Sequence, residues 1–182
     1  MNISEDFETE EDIGSADGIL SRAGVNRTTG MACVLREAQT PEAAERLRAE
    51  ARLMSRLDHP GLPKWVGLSE EDGRVVAVRE SPEAKTLAVL EGSRALSASQ
   101  AVSVAREAAK TLLYLHAFFP PIPHGRLDSA HIALGAGDHV WLLDPAGTGS
   151  PEEDVGSLRR TLRAACSPNA AAALAPLWAD EG

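Results

Sequence analysis

The chain has 182 residues, 18 Lys+Arg against 27 Asp+Glu, a formal net charge of −9 and 43% hydrophobic residues. That length fits one domain, or one domain split into two small lobes, with enough apolar content for a core although thirty of its positions are alanine. The acidic balance argues against a nucleic-acid phosphate binder, and no stretch approaches the roughly 18 apolar residues of a membrane span. The amino terminus, MNISEDFETEED, is acidic where a signal peptide would be basic and then apolar. Cys33 and Cys166 lie far apart without CxxC spacing, so neither a zinc site nor a disulfide framework is expected. The chain reads as soluble and cytoplasmic, with no nucleic acid and no membrane among its partners.

Residues 5–12 carry six acids in eight positions without apolar periodicity. They are expected to form a disordered tail over 1–12, either merely solvated or serving as a partner-binding arm. From Ile13 to Arg36 short β-like pieces alternate with turn residues, as in IGSADGILSRA, NRTTG and MACVLRE, which predicts an antiparallel hairpin or meander. Thr40 as cap, Pro41 at the first helical position and Leu47, Glu50/Ala51, Met54 and Leu57 at helical spacing predict a helix that HPGLP stops. KWVGLSE and RVVAVRE follow as two strands joined around Glu71-Asp72-Gly73.

Ser97 and Gln100 form a capping box for a long helix whose buried face holds Ala101, Val104, Ala108, Leu112 and Leu115. After FFPPIP come the compact run HGRLDSAHIAL, a GAGD turn and the strand HVWLLD. A helix through DVGSLRRTLRAAC and a short alanine-rich helix ending at Trp178 complete the chain. Strands with one helix, then mainly helices, predict an α+β fold in two lobes, 13–82 and 83–182.

Five strings in order carry a resemblance: ERLRAEARLMSRLDHPGLP with Glu50, TLLYLHAFFPPIPHGRLDSAHIAL, HVWLLDPAG, DVGSLRRTL with Asp154, and IGSADGILSRA upstream. Together they resemble the αC helix, the αE helix running into the catalytic loop, the strand ending in DFG, the start of αF and a glycine-rich loop. The family they resemble is the protein kinases, of the bacterial eukaryotic-like Ser/Thr type. The resemblance covers residues 13–165 and implies a two-lobed kinase-like fold with a small antiparallel-sheet N-lobe and a shortened helical C-lobe. It also implies that the later helices of the large lobe are missing or replaced by the alanine-rich tail. Only Gly147–Glu153 separate DPA from Asp154, too few for a peptide-docking activation segment.

Phosphoryl transfer asks for positioned charge: a base for the acceptor hydroxyl, a carboxylate and an amide for Mg²⁺, and a lysine paired with a glutamate for the phosphates. The resemblance places His124-Gly125-Arg126 at His-Arg-Asp, so that Arg126 stands where the base should be. A guanidinium stays protonated at physiological pH and cannot accept a proton. His131 stands at the second metal ligand, where imidazole is a poor match for a hard ion. Asp128 takes the place of a lysine that faces the γ-phosphate, and it would point elsewhere than a base must. His124, His131 and Asp144 match no ligand spacing, so no metal is expected, Asp144 being the position that would hold one if any did.

Arg36 aligns with the phosphate-holding lysine and is expected to pair with Glu50, locking αC to the sheet. Arg79 aligns with the gatekeeper beside the adenine pocket, and Pro82 with the residue whose N–H would read adenine; proline has none. The expectation is a pseudokinase without a catalytic residue and without a cofactor, binding another protein or a second copy of itself as a scaffold or regulator. A nucleotide-binding regulator using ATP and Mg²⁺ without transfer, or an atypical phosphotransferase, are the alternatives.

Overall fold

The computed structural model describes residues 1–71, 73–91 and 95–178. They divide into two compact units, 1–58 with 63–82 and 59–62 with 83–182. In the first unit a five-stranded antiparallel sheet runs in the order β1-β2-β3-β5-β4. Its strands are β1 (Phe7–Ala16), β2 (Ile19–Asn26), β3 (Ala32–Ala38), β4 (Trp65–Glu71) and β5 (Arg74–Glu80). Asp17 and Gly18 both take positive φ, 51° and 72°, which is how an Asp-Gly pair turns β1 into β2 in two residues. The NRTTG turn closes with Asn26 Oδ1 accepting from the Thr28 and Thr29 N–H groups at 3.0 and 2.9 Å. Of the expected Glu71-Asp72-Gly73 turn, Asp72 lies outside the described residues, while Gly73 has φ 75°.

Alternation along the strands sorts side chains to two faces. Ile19, Val75 and Ala77 pack with Ala43 and Leu47 of α2 (Pro41–Met54), which Thr40 caps through the Ala43 N–H at 3.2 Å. Cys33, Leu35, Val76 and Val78 pack on the other face with Phe7, flanked by Ile3, Met31 and Val66. Phe7 is 2% exposed.

That packing corrects the expectation of a disordered tail over residues 1–12. Ile3–Asp6 form a short helix, α1, capped by Asn2, and the acids from Glu8 to Asp12 lie in β1, paired with β2 as far as Thr9 opposite Gly24 and again from Asp12 opposite Arg22. Two observations account for it. Phe7 supplies one large apolar anchor. The charges then find arginines across the ladder, Arg22 Nε on Asp12 Oδ1 at 2.7 Å and Arg27 on Glu8 at 3.3 Å.

The second unit has a three-stranded sheet, β6 (Ala84–Thr86), β7 (Ile132–Gly135) and β8 (Val140–Leu142), in that order. A single 3₁₀ turn, Ala136–Asp138, occupies the GAGD stretch. Its helices are α3 (Leu87–Glu91), α4 (Ala98–His116), α5 (Pro151–Ala165), α6 (Pro168–Ala173) and α7 (Ala175–Trp178). The Ser97–Gln100 capping box is present, and Ala101, Val104, Ala108, Leu112 and Leu115 are all buried, joined by Thr111. His59–Leu62 of the HPGLP break belong to this unit, and Pro63 to the first. Gly61 O accepts from the Leu142 N–H at 2.8 Å, and a Cβ on Gly61 would lie 2.0 Å from Thr111 Oγ1, so glycine alone permits the approach. Ala170 and Leu174 of the alanine-rich tail are buried, and Leu96 bridges to Cys166. No helix among the described residues is long and apolar enough to cross a membrane.

Candidate functional site

Arg36 sits on β3 opposite Ala77, on the sheet face covered by α2, and its Nη1 meets Glu50 Oε1 of α2. Their side chains are 7% and 10% exposed, so the pair is buried and charge-assisted. One residue on, Glu37 points to the opposite face, where Arg74 and Arg22 grip it at 2.7 and 2.8 Å. These bonds, Arg74's foremost, hold the Glu37 carboxyl below the usual range. Sequence reading missed this second cluster because its partners meet only through strand pairing. The Arg36–Glu50 contact, by contrast, is the one the alignment requires.

Arg79 lies on β5 with Val34 and Trp65 as its cross-strand neighbours. It is buried, and its Nη1 donates to the Glu80 carbonyl at 3.0 Å. The Ser81 N–H still pairs with Ala32 O at 2.8 Å, and Pro82 then ends the unit without a backbone donor of its own.

The remaining sites fall in the second unit, around the loop 124–131. Asp154, in the first turn of α5, is its anchor and is 2% exposed. Oδ2 accepts from the His124 N–H at 2.7 Å and lies 2.8 Å from His116 Nε2; Oδ1 accepts from the Gly125 N–H at 2.8 Å. Three partners satisfy a carboxylate that burial would otherwise penalise. His116, at the end of α4, was not singled out from sequence, since the two residues are 38 positions apart.

The His124 side chain is fully buried. Its Nδ1 accepts from the Arg126 N–H at 3.3 Å, which leaves the proton on Nε2, and Nε2 has no hydrogen-bond partner among the described residues. Burial, opposed by the charges of Asp154, Asp144 and Asp128, pushes its pKa down to about 4. The ring is neutral at physiological pH and works as a packed spacer. Gly125 has φ 74°, and a Cβ there would stand 2.3 Å from Thr148 O. The segment after Asp144 thus lies directly on the loop, where any side chain at position 125 would collide with it.

Asp128 is committed to the loop itself. Its Oδ1 accepts from the Ala130 N–H at 2.9 Å and the His131 N–H at 3.2 Å, and lies 2.6 Å from His131 Nδ1. Burial tends to raise its pKa, but the His131 side chain and the two amides outweigh that and lower it. His131 is therefore turned toward Asp128. Asp144 follows β8 with φ 54°, between two ties: Leu143 N–H to His131 O at 2.8 Å and Ala146 N–H to His124 O at 2.7 Å. Arg36 and Glu50 are brought together in one unit; His124, Arg126, Asp128, His131 and Asp144 are brought together in the other.

No protein-family model matches the chain. A stretch of 123 residues, 68% of the chain, is 25% identical to the Arabidopsis thaliana serine/threonine-protein kinase TIO, of which it spans 9%. Among solved structures, Rad53 in complex with AMP-PNP superposes with a TM-score of 0.69 at 17% identity, covering 88% of this chain and 47% of that one. The Mycobacterium tuberculosis PknI kinase domain superposes with a TM-score of 0.72 at 14% identity, covering 88% of this chain and 72% of that one. The chain spans less than half of Rad53 and a small part of TIO. Its two units have the protein-kinase-like α+β fold, with an antiparallel-sheet N-lobe and a short helical lobe.

Proposed function

We propose that this chain is a catalytically inactive kinase-fold protein, a pseudokinase that works in the cytoplasm by binding another protein or a second copy of itself as a scaffold or regulator. Neither nucleic acid nor a membrane enters this reading. One observation carries it: the loop offers a guanidinium, Arg126, where transfer needs a proton acceptor, and the loop's own carboxylate, Asp128, is engaged with the loop through Oδ1. Asp128 holds two amides and His131 through one oxygen, and its depressed pKa makes it a weak base. His131, at the place of an amide metal ligand, faces that same carboxylate. The buried Arg36–Glu50 pair supports a structural use of what kinases employ on phosphates.

A nucleotide-binding regulator without transfer is the second reading, favoured by Asp144, which keeps a left-handed turn after its strand. A single series of assays tests both. Phosphate transfer to generic protein substrates with Mg²⁺ or Mn²⁺ should be absent, and Arg126→Asp alone should not restore it. Transfer above an Asp144→Ala control would overturn the proposal. Millimolar ATP with Mg²⁺ should leave the melting temperature unchanged, whereas binding at a hundredfold excess over Kd would add about 2.7 kcal/mol, a shift of several degrees. A dose-dependent rise that vanishes in Asp144→Ala would move the assignment to the second reading.

A further inference from the structure

The first seven residues cross one face of the five-stranded sheet, from β1 at one edge to β4 at the other, entirely within the first unit. Phe7 is seated among Cys33, Leu35, Val76 and Val78, Ile3 packs beside it, and Met1 O accepts from the Ser69 hydroxyl of β4 at 2.8 Å. The hold is slender for a cover of that span. Among residues 1–16 Phe7 alone is buried, and Glu10 and Glu11 bulge against the single residue Ala23, breaking the ladder to β2. The ion pairs that flank the break, Glu8 with Arg27 and Asp12 with Arg22, are exposed and add little. One aromatic anchor and a short ladder make residues 1–9 a segment that opens ahead of the rest of the fold. The cover also leaves its seat unfilled. A cleft of about 410 Å³ remains, lined by Ile3, Ser4 and Phe7 of the cover and by Arg22, Arg27 and Val76 of the sheet. When the cover leaves, Arg27 parts from Glu8, and the rim of the apolar seat sets Arg22, Arg27 and Arg74 against Glu37 and Glu71.

We propose that this face is a docking site for an acidic segment with one aromatic anchor, carried by a partner protein, and that residues 1–9 are its removable cover. The proposal rests on the binding reading above and gives it a surface and a partner chemistry. The cover is itself the template for the occupant. It shows an aromatic side chain for the apolar seat, carboxylates for Arg22 and Arg27, and an extended backbone for the open side of β2. A second copy is a poor occupant, because its own segment is already seated. Edge-to-edge pairing of β1 would moreover set Glu8, Glu10, Glu11 and Asp12 against the same acids of the other copy.

Fluorescence anisotropy would follow a labelled peptide of residues 1–12, MNISEDFETEED, against the full chain and against full-chain Phe7→Ala. Loss of the anchor raises the open fraction, so the variant should bind the peptide at least tenfold tighter than the parent does. A peptide with the same Phe7→Ala change should lose at least tenfold on the variant, and Arg27→Glu added to the variant should lose at least fivefold. Circular dichroism controls for folding. Should Phe7→Ala not fold, Ile3→Ser opens the cover more mildly, and the same order of affinities is expected. Equal binding by parent and variant, or indifference to the phenylalanine of the peptide, would overturn the proposal. So would a stable heterodimer of parent and variant chains by light scattering, which would make a second copy the occupant. Transfer activity in the preceding assays would sink the inactive reading whatever the peptide does, whereas a peptide that fails to discriminate would sink only the docking surface.

Discussion

The buried charges of the two units are held in different ways. In the first unit Arg36 and Glu50 meet side chain to side chain. Such a contact tolerates only side chains that carry the right charge with the right reach. In the second unit Asp154 anchors the loop through the backbone N–H groups of His124 and Gly125. Amides are supplied by any residue except proline, so this anchor by itself fixes only the acceptor and asks nothing of the side chains that carry the amides. The first contact therefore constrains the side chains at both of its positions, and the second constrains only the acceptor.

The sharpest test of the comparison is Asp154→Ala. It orphans the buried His124 amide and the part-buried Gly125 amide and removes the partner of His116, and should cost about 3–5 kcal/mol in urea unfolding. A loss below about 1 kcal/mol would mean that the loop does not depend on this anchor.

Next comes pH. Unfolded histidine titrates near 6.5, whereas native His124 takes its proton only around 4. Between those values the unfolded state binds more protons, so stability falls as pH drops through that window. Lowering pH from 7 to 5 should cost about 2 kcal/mol, and His124→Asn should flatten the slope. The depressed carboxylates Glu37 and Asp128 begin to lose their contribution only below their unfolded values near pH 4–4.5, which keeps the upper window clean. An unchanged slope in the variant would assign the dependence elsewhere.

The smallest effect is the coupling between Arg36 and Glu50. Each alanine variant should cost about 1–3 kcal/mol, and the double variant about 1 kcal/mol less than their sum. Strict additivity would show that the pair adds nothing beyond each residue's own packing.

Much of this architecture is legible in the sequence where the signals are local. The Ser97–Gln100 capping box and the spacing of Ala101, Val104, Ala108, Leu112 and Leu115 define α4 within one segment, and Thr40-Pro41 does the same for α2. The pair Arg36–Glu50 was reachable only through resemblance, as was the anchoring aspartate of α5. What stayed hidden depends on distant strands and loops. Phe7 alone does not announce a strand among acids; its burial needs Val76 and Val78, some seventy residues on. The grip of Arg22 and Arg74 on Glu37 arises only once β2 and β5 flank β3. The bond from His116 to Asp154 joins two helices whose approach no periodicity reports.

The close approach of Thr148 O to Gly125 also limits what position 125 can accept. The kinase resemblance expects an arginine at position 125, and introducing one would place a Cβ, in a left-handed backbone, against a carbonyl 2.3 Å away. Any side chain at position 125 therefore requires the segment around Thr148 to be lengthened or rerouted at the same time. The two positions are coupled, so that neither can be changed alone without a collision between loop and segment.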